Sequence, residues 1–193
     1  MTSTAALLLG LLAGHALAHP RTDRLLVERE RVVLELSLEV APGDDGVALK
    51  RLFDRSGDGR LDDREAAAAT EYLARTARLF ARLFVDGVAV PLGGEEVVAH
   101  GLVGETRGGA GCQLRVRLFA KLAPQGQAPR VVRLEDRERD RGVDVPVHAS
   151  AGDGLSIASA TGAAGGGAAF VEMTLLEGQA LELAVVLAPP TGP

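Results

Sequence analysis

A chain of 193 residues with 47% hydrophobic content is long enough to bury one substantial core, and a single folded unit is the expectation at this size. Aromatic residues are only 3% and Trp is absent, so the core must be built from Leu, Val and Ala, and the stacking surfaces of carbohydrate or single-stranded nucleic-acid readers are scarce. A formal net charge of −5 provides no broad basic footprint for nucleic acid or an anionic membrane.

In chain order, the opening stretch "MTSTAALLLGLLAGHALAHP" carries no charged side chain, has an apolar run from Leu7 to Leu12 and reaches the small-x-small triplet Ala16-Leu17-Ala18. Residues 1–18 read as an export signal, and cleavage after Ala18 would leave His19 first. The run "LLAGH" resembles a lipoprotein box with His15 in place of the lipid-accepting cysteine, so a soluble periplasmic or extracellular product is expected. No later uninterrupted apolar stretch reaches about 18 residues, so no membrane span is expected after signal removal.

From His19 onward the hydrophobic period is mostly two. "RVVLELSLEV" sets Leu34, Leu36, Leu38 and Val40 against Glu35, Ser37 and Glu39, a half-buried strand. Further strands are expected near "RLFVDGVAVPL", with a tight turn at Asp86-Gly87, and at "EVVAHGLV", "CQLRVRLFAKL", "RVVRL" and "LSIASA". "AAFVEMTLL" and "QALELAVVLA" are expected to form a hairpin through Glu177-Gly178. About seven to nine short strands between Gly/Pro-rich turns define a mainly β fold, a β-sandwich spanning residues 19–193. Cys112 lies in phase with Leu114, Val116, Leu118, Ala120 and Leu122; as the sole cysteine it has no intramolecular disulfide partner, and it reads as a core thiol. "RLEDRERDR", from Arg133 to Arg141, reads as a solvated loop, and "SATGAAGGGAAF", from Ser159 to Phe170, as a flexible connection.

A helical block interrupts the strands over residues 44–84. Asp44 and Asp45 are placed to cap a short helix through "GVALKRLF". After an acidic loop, "DDREAAAATEYLARTARLFARLF" has strong helix formers, with Ala66, Ala69, Tyr72, Leu73, Leu79, Phe80 and Leu83 mostly three or four residues apart.

The loop between these helices, "LFDRSGDGRLDDRE", carries the chemistry. A hard dication needs six to eight oxygen ligands, and a twelve-residue loop supplies them by turning sharply at its sixth residue while alternate side chains converge. With Asp54 first, Ser56 is third, Asp58 fifth, Gly59 sixth, Arg60 seventh, Asp62 ninth and Glu65 twelfth. In this spacing the stretch resembles an EF-hand loop. The resemblance implies a calcium ion (Ca2+) held by side-chain oxygens of Asp54, Ser56 and Asp58, the backbone carbonyl of Arg60, Asp62 directly or through water, and bidentate Glu65. Leu61 matches the apolar eighth position. Ser56 is a departure, an uncharged hydroxyl where Asp or Asn is usual, which implies weaker binding. The competing reading is an Asp/Gly turn in which Glu65 only supports the following helix. Magnesium suits the loop less, because it prefers a rigid octahedral site with several waters. No second loop of this kind is present, so pairing with another EF-hand is expected to be absent or between chains. At extracellular calcium levels a weak site would still fill, and its expected role is a clip holding two helices to the sandwich. Asp54→Ala and Glu65→Gln are expected to abolish the calcium response and leave the metal-free fold largely intact.

"HALAHP", the alternating strand, the acidic loop with its helix and "VDGVAVPL" together resemble, over residues 15–92, the extracytoplasmic N-terminal part of nickel/cobalt-efflux-type membrane proteins. Residues 19–193 contain no stretch that reads as one of that family's membrane helices, so transport is not expected of them; an accessory role beside a transporter, with an unidentified protein partner, is the expectation compatible with this resemblance. The alternative function is metal handling or copper enzymology at His19, whose α-amino group and imidazole would chelate together with His100 or His148. No G-x-S-x-G, phosphate-loop, H-E-x-x-H or C-x-x-C arrangement is present, and the expectation is a calcium-binding module that is not an enzyme.

Overall fold

Alternating burial along the strands builds two facing layers. The structure, a computed structural model, describes residues 20–107, 111–124, 128–137, 144–152, 154–161, 168–176 and 179–188; the expected signal segment, His19 and Glu177-Gly178 lie outside them. Among the described residues there are thirteen strands, β1 to β13 in chain order, and two helices. The first sheet runs β12 (Phe170–Leu175), β10 (Val145–Ala151), β1 (Arg21–Val27), β2 (Arg31–Val40), β8 (Cys112–Lys121) and β6 (Gly93–His100). The second runs β11 (Leu155–Ala160), β13 (Ala180–Leu187), β9 (Arg130–Asp136), β4 (Ala81–Val85) and β5 (Val88–Val90). β3 (Arg60–Leu61) and β7 (Gly104–Glu105) form a separate two-stranded bridge.

Registers bring apolar residues of one face opposite one another. In the first sheet Leu34 lies opposite Leu25 and Leu118, and Leu36 opposite Val116; in the second Leu134 lies opposite Leu83 and Leu181. All of these side chains belong to one core shared by the two sheets. This is the mainly β, sandwich-like architecture that the period-two patterning implies. The outer face of the first sheet carries Arg24, Glu35 and Arg115 in loose surface pairs of 3.7–3.8 Å, which contribute little to stability.

Several local expectations are corrected. More strands form than the expected seven to nine. β1 was not expected because Arg21 and Asp23 occupy the buried phase of "RTDRLLV", ahead of Leu25 and Val27. The Arg21 Nε donates to Asp23 Oδ1 at 2.9 Å and its Nη2 to Asp136 Oδ1 at 3.1 Å. One guanidinium thus serves two carboxylates between β1 of one sheet and β9 of the other. The strand expected at "RVVRL" runs on to Asp136, so Glu135 and Asp136 are strand and not part of the solvated loop expected there; the rest of that stretch beyond Arg137 is outside the described residues. β12 and β13 are not a hairpin: β12 pairs with β10, and β13 with β11 and β9. Both strands carry one apolar face, a pattern that cannot say whether neighbours in sequence share a sheet or face each other across the core. The Asp86-Gly87 turn is as expected, with φ of 51° and 78°, the left-handed pair of a type I′ hairpin joining β4 to β5. Cys112 is buried on β8 in phase with its apolar neighbours. The glycine-rich stretch is described only at its ends, where Ile157 bridges to Ala168.

The helical insertion carries the chain from β2 of one sheet to β4 of the other. Helix α1 spans Asp44–Phe53 and α2 spans Asp63–Phe80. Asp44 and Asp45 lie in the first turn of α1 rather than capping it, because Gly43 is the N-cap and supplies no side-chain hydrogen bond; their charge faces the positive end of the helix dipole. Helix α2 buries Ala66, Ala69, Leu73, Ala74 and Ala77 and packs against α1, β8, β6 and β4. Small alanines let the helix lie close to the sheets. The helix ends at Phe80, so Leu83 belongs to β4 and Leu79 is exposed. Where the insertion leaves β2, Gly111 lies against Val40 and Pro42 so closely that an added Cβ would come within 2.5 Å of the Val40 carbonyl oxygen. The start of β8 and the exit of β2 thereby fix where α1 begins. No helix among the described residues is long and apolar enough to cross a membrane.

Candidate metal centre

The loop between α1 and α2 is held by its own acidic side chains. Both Asp54 oxygens reach forward: Oδ1 accepts from Gly57 N at 2.8 Å and Oδ2 from Gly59 N at 3.0 Å. Ser56 Oγ donates to Asp54 Oδ1 at 3.2 Å, and Asp58 Oδ1 accepts from Arg60 N at 2.8 Å. Local bonds from Asp and Ser side chains to following backbone amides favour turns over helix. Gly59 has φ of +81°, a conformation that costs a side-chain-bearing residue about 1–2 kcal/mol. The sharp reversal expected at the sixth position is present.

Asp62 and Glu65 begin α2. Asp62 Oδ1 accepts from Glu65 N at 2.8 Å, and Glu65 Oε2 accepts from Asp62 N at 3.2 Å, a reciprocal cap that satisfies two otherwise orphaned donors. Glu65 does more than cap. Its Oε1 accepts from Arg55 N at 2.8 Å and Ser56 N at 2.9 Å, and the residue is only 7% exposed. One carboxylate therefore ties the first residues of the loop to the last. A charged acceptor with three amide donors makes a strong local clasp.

Leu61, at the eighth position, is 1% exposed and pairs with Gly104, while Arg60 pairs with Glu105. The loop strand thus bridges within the chain to a segment with no ligand pattern of its own, rather than to a second loop of the same kind. Thr106 reinforces it, donating to the Gly59 carbonyl oxygen from its backbone N at 2.8 Å and from Oγ1 at 2.9 Å. From the other side, the buried Lys50 of α1 reaches the Glu105 carbonyl oxygen at 3.5 Å. Lys50 and Gly104–Thr106 are the contributors that sequence reasoning missed. A two-residue bridge has no periodicity to detect, and a lysine in the last turn of a helix ordinarily reads as solvated.

The donor set consists of oxygens alone: Asp54, Ser56, Asp58, Asp62, Glu65 and the Arg60 carbonyl. Such a set suits a hard cation and not a thiolate- or imidazole-seeking metal. Among the described residues, however, no three His, Cys, Asp or Glu side chains stand as a group that could hold a metal ion. The hydrogen bonds give the reason: the Asp54, Asp58 and Glu65 oxygens are turned onto backbone N–H groups. The residues match calcium ligands in type and order, but their side chains are engaged in holding the loop and do not stand together as a metal-holding group.

Other candidate ligands lie apart. His100 is exposed at the end of β6, and His148 on β10 is 3.0 Å from Glu172 Oε1. Four strand steps separate β10 from β6, about 19 Å at 4.7–4.9 Å per step, so one metal cannot take both. The Cys112 thiol is pushed from its ordinary 9.0 up to about 11 by burial, against the opposing effect of the Lys50 charge, which keeps it a protonated core group. No family model matches the sequence, and no curated protein matches it.

Proposed function

We propose that the chain is an exported calcium-binding protein with a single EF-hand, in which the cation clips α1 and α2 to a β-sandwich that acts as a structural or binding module. The observation that carries this reading is the loop itself. Residues with EF-hand ligand spacing connect two helices, turn at Gly59 with positive φ, and place Leu61 in a buried bridge. Asp54, Ser56, Asp58, Asp62, Glu65 and the Arg60 carbonyl would hold the ion. Calcium would neutralise the close carboxylates. The chain's own residues hold the loop in its metal-free form: Glu65 clasps Arg55 and Ser56, and the β3–β7 bridge fixes the loop's second half. Binding would require Glu65 to exchange amide partners for the cation, so affinity is set by the difference between two satisfied states of that carboxylate. That exchange and the neutral Ser56 both favour a weak site, suited to a compartment with about 0.1–1 mM calcium.

Thermal unfolding of the metal-stripped full chain with increasing calcium tests this reading. A saturable rise in midpoint, lost in Asp54→Ala, is the expected result; an unchanged midpoint, or an equal rise in the variant, would refute it.

The second reading, metal handling at His19, draws on one feature. Pro20, next in sequence to His19, lines a groove of about 260 Å3 together with His100 and Glu39, whereas His148 is across the sheet. Of the two histidines, His100 is the one that favours this alternative. Copper binding with nitrogen ligands, lost in His100→Ala, would support it.

A further inference from the structure

Strand β6 ends the six-stranded sheet, and among the described residues its one hydrogen-bonded neighbour is β8. An open strand edge is a template for another strand, and proteins ordinarily blunt it with lysine, proline or a bulge. Here the bulge lies at Gly93–Glu95, and Gly101, with φ of +79°, turns the chain away after His100. The residues between, Glu96-Val97-Val98-Ala99-His100, keep a regular register with β8 and contain neither lysine nor proline. Val97 and Ala99 pack against the core. Glu96, Val98 and His100 are exposed on the outer face, Val98 at 39%.

The charges on that face are ordered. Arg24, Glu35, Arg117 and Glu96 stand opposite one another in a single row across β1, β2, β8 and β6, alternating in sign and ending on an acid at the edge. The last pair is loose, with Arg117 Nη1 3.7 Å from Glu96 Oε2 and the Glu96 side chain 62% exposed, so this carboxylate has room for a second donor. We infer that the edge takes a second copy of this chain, β6 against β6, antiparallel and centred on Val98. Residues opposed in an antiparallel pair share a face. With Val98 opposite Val98, Glu96 of each copy meets His100 of the other, and Val97 meets Ala99 on the core side. Two Glu96–His100 hydrogen bonds then flank one apolar contact, and the charge row of each copy continues onto an imidazole donor. Centring on Val97 or Ala99 instead would set Glu96 or His100 opposite Val98 and lose both pairs. The chosen register also brings Glu96 of the second copy to the rim of the groove of about 260 Å3 that Val98 and His100 line. A contact of one short strand is small, and small interfaces are weak and reversible. The inference does not rest on the calcium reading.

Sedimentation equilibrium of the full chain across a wide range of concentration tests the pairing, with circular dichroism confirming that each variant is folded. A reversible monomer–dimer equilibrium is expected. Val98→Lys sets two like charges face to face on the axis and should weaken the dimer by about tenfold or more. Glu96→Lys should weaken it as well, by facing His100 with a cation, and the double variant Glu96→Lys/His100→Glu should recover it by restoring the pair with its signs exchanged. A monomer at every concentration, a dimer indifferent to Val98→Lys, or a double variant that dimerises no better than Glu96→Lys alone would overturn the inference.

Discussion

Glu65→Gln separates the two tasks that the structure gives this carboxylate. The wild-type side chain accepts from Arg55 N, Ser56 N and Asp62 N at 2.8, 2.9 and 3.2 Å. A glutamine amide retains one carbonyl oxygen, which can keep the Arg55–Ser56 pair. Its NH2 group then faces the Asp62 N–H, where it cannot accept. One charge-assisted bond is lost, and the remaining two weaken because the acceptor is no longer ionised. Leaving a part-buried donor without an acceptor, together with the weakening of the other two bonds, costs up to about 1–3 kcal/mol. For a chain of this size about 2 kcal/mol corresponds to roughly 4–8 °C in melting midpoint. Glu65→Gln should therefore be less stable than wild type in a calcium chelator, measured by urea unfolding, in addition to losing any calcium response. This replaces the expectation from the loop spacing alone that the metal-free fold is left intact. A metal-free stability within about 0.5 kcal/mol of wild type, the usual effect of a surface substitution, would refute the clasp.

Arg21→Leu would leave Asp23 and Asp136 buried without their shared cation and should cost about 3–5 kcal/mol by chemical denaturation; a loss below about 1 kcal/mol would show that the guanidinium is not what neutralises them. Gly59→Ala should destabilise the metal-free chain by about 1–2 kcal/mol through its positive φ, and unchanged stability would mean that the turn relaxes without cost. For Cys112 the unfolded thiol releases its proton near 9.0 and the folded one near 11. Between those values the unfolded chain binds fewer protons, so stability falls as pH rises through the window. Cys112→Ala should lose less stability than wild type between pH 9 and 11, and parallel pH profiles would contradict the shift.

The sandwich was legible where burial follows a period of two, as over Leu34–Val40 of β2 and throughout β8, whose buried phases include Leu34, Leu36, Leu38 and Leu114, Val116, Leu118. It was not legible in β1, where Arg21 and Asp23 occupy the inward phase and acquire a partner, Asp136, that lies 115 residues from Arg21. Pairing between sheets was hidden for the same physical reason that separated β12 from β13: a half-buried strand announces its face but not its neighbour. At the loop, the ligand spacing, Gly59 and the apolar Leu61 were all readable. The bridge from Leu61 to Gly104 was not, since it depends on how the β6–β8 connection is brought beside α1. Nor could spacing reveal that Glu65 engages Arg55 and Ser56, because carboxylates suited to a cation are equally suited to backbone amides.

The most direct measurement of the calcium account is calorimetric titration of the metal-stripped full chain with calcium, followed by magnesium. The account predicts one calcium per chain, tighter than magnesium, with Asp54→Ala silent. No heat and no stabilisation at several times the about 1 mM ceiling of weak extracellular sites would contradict it, leaving Asp54–Glu65 as a turn held together by its own amides.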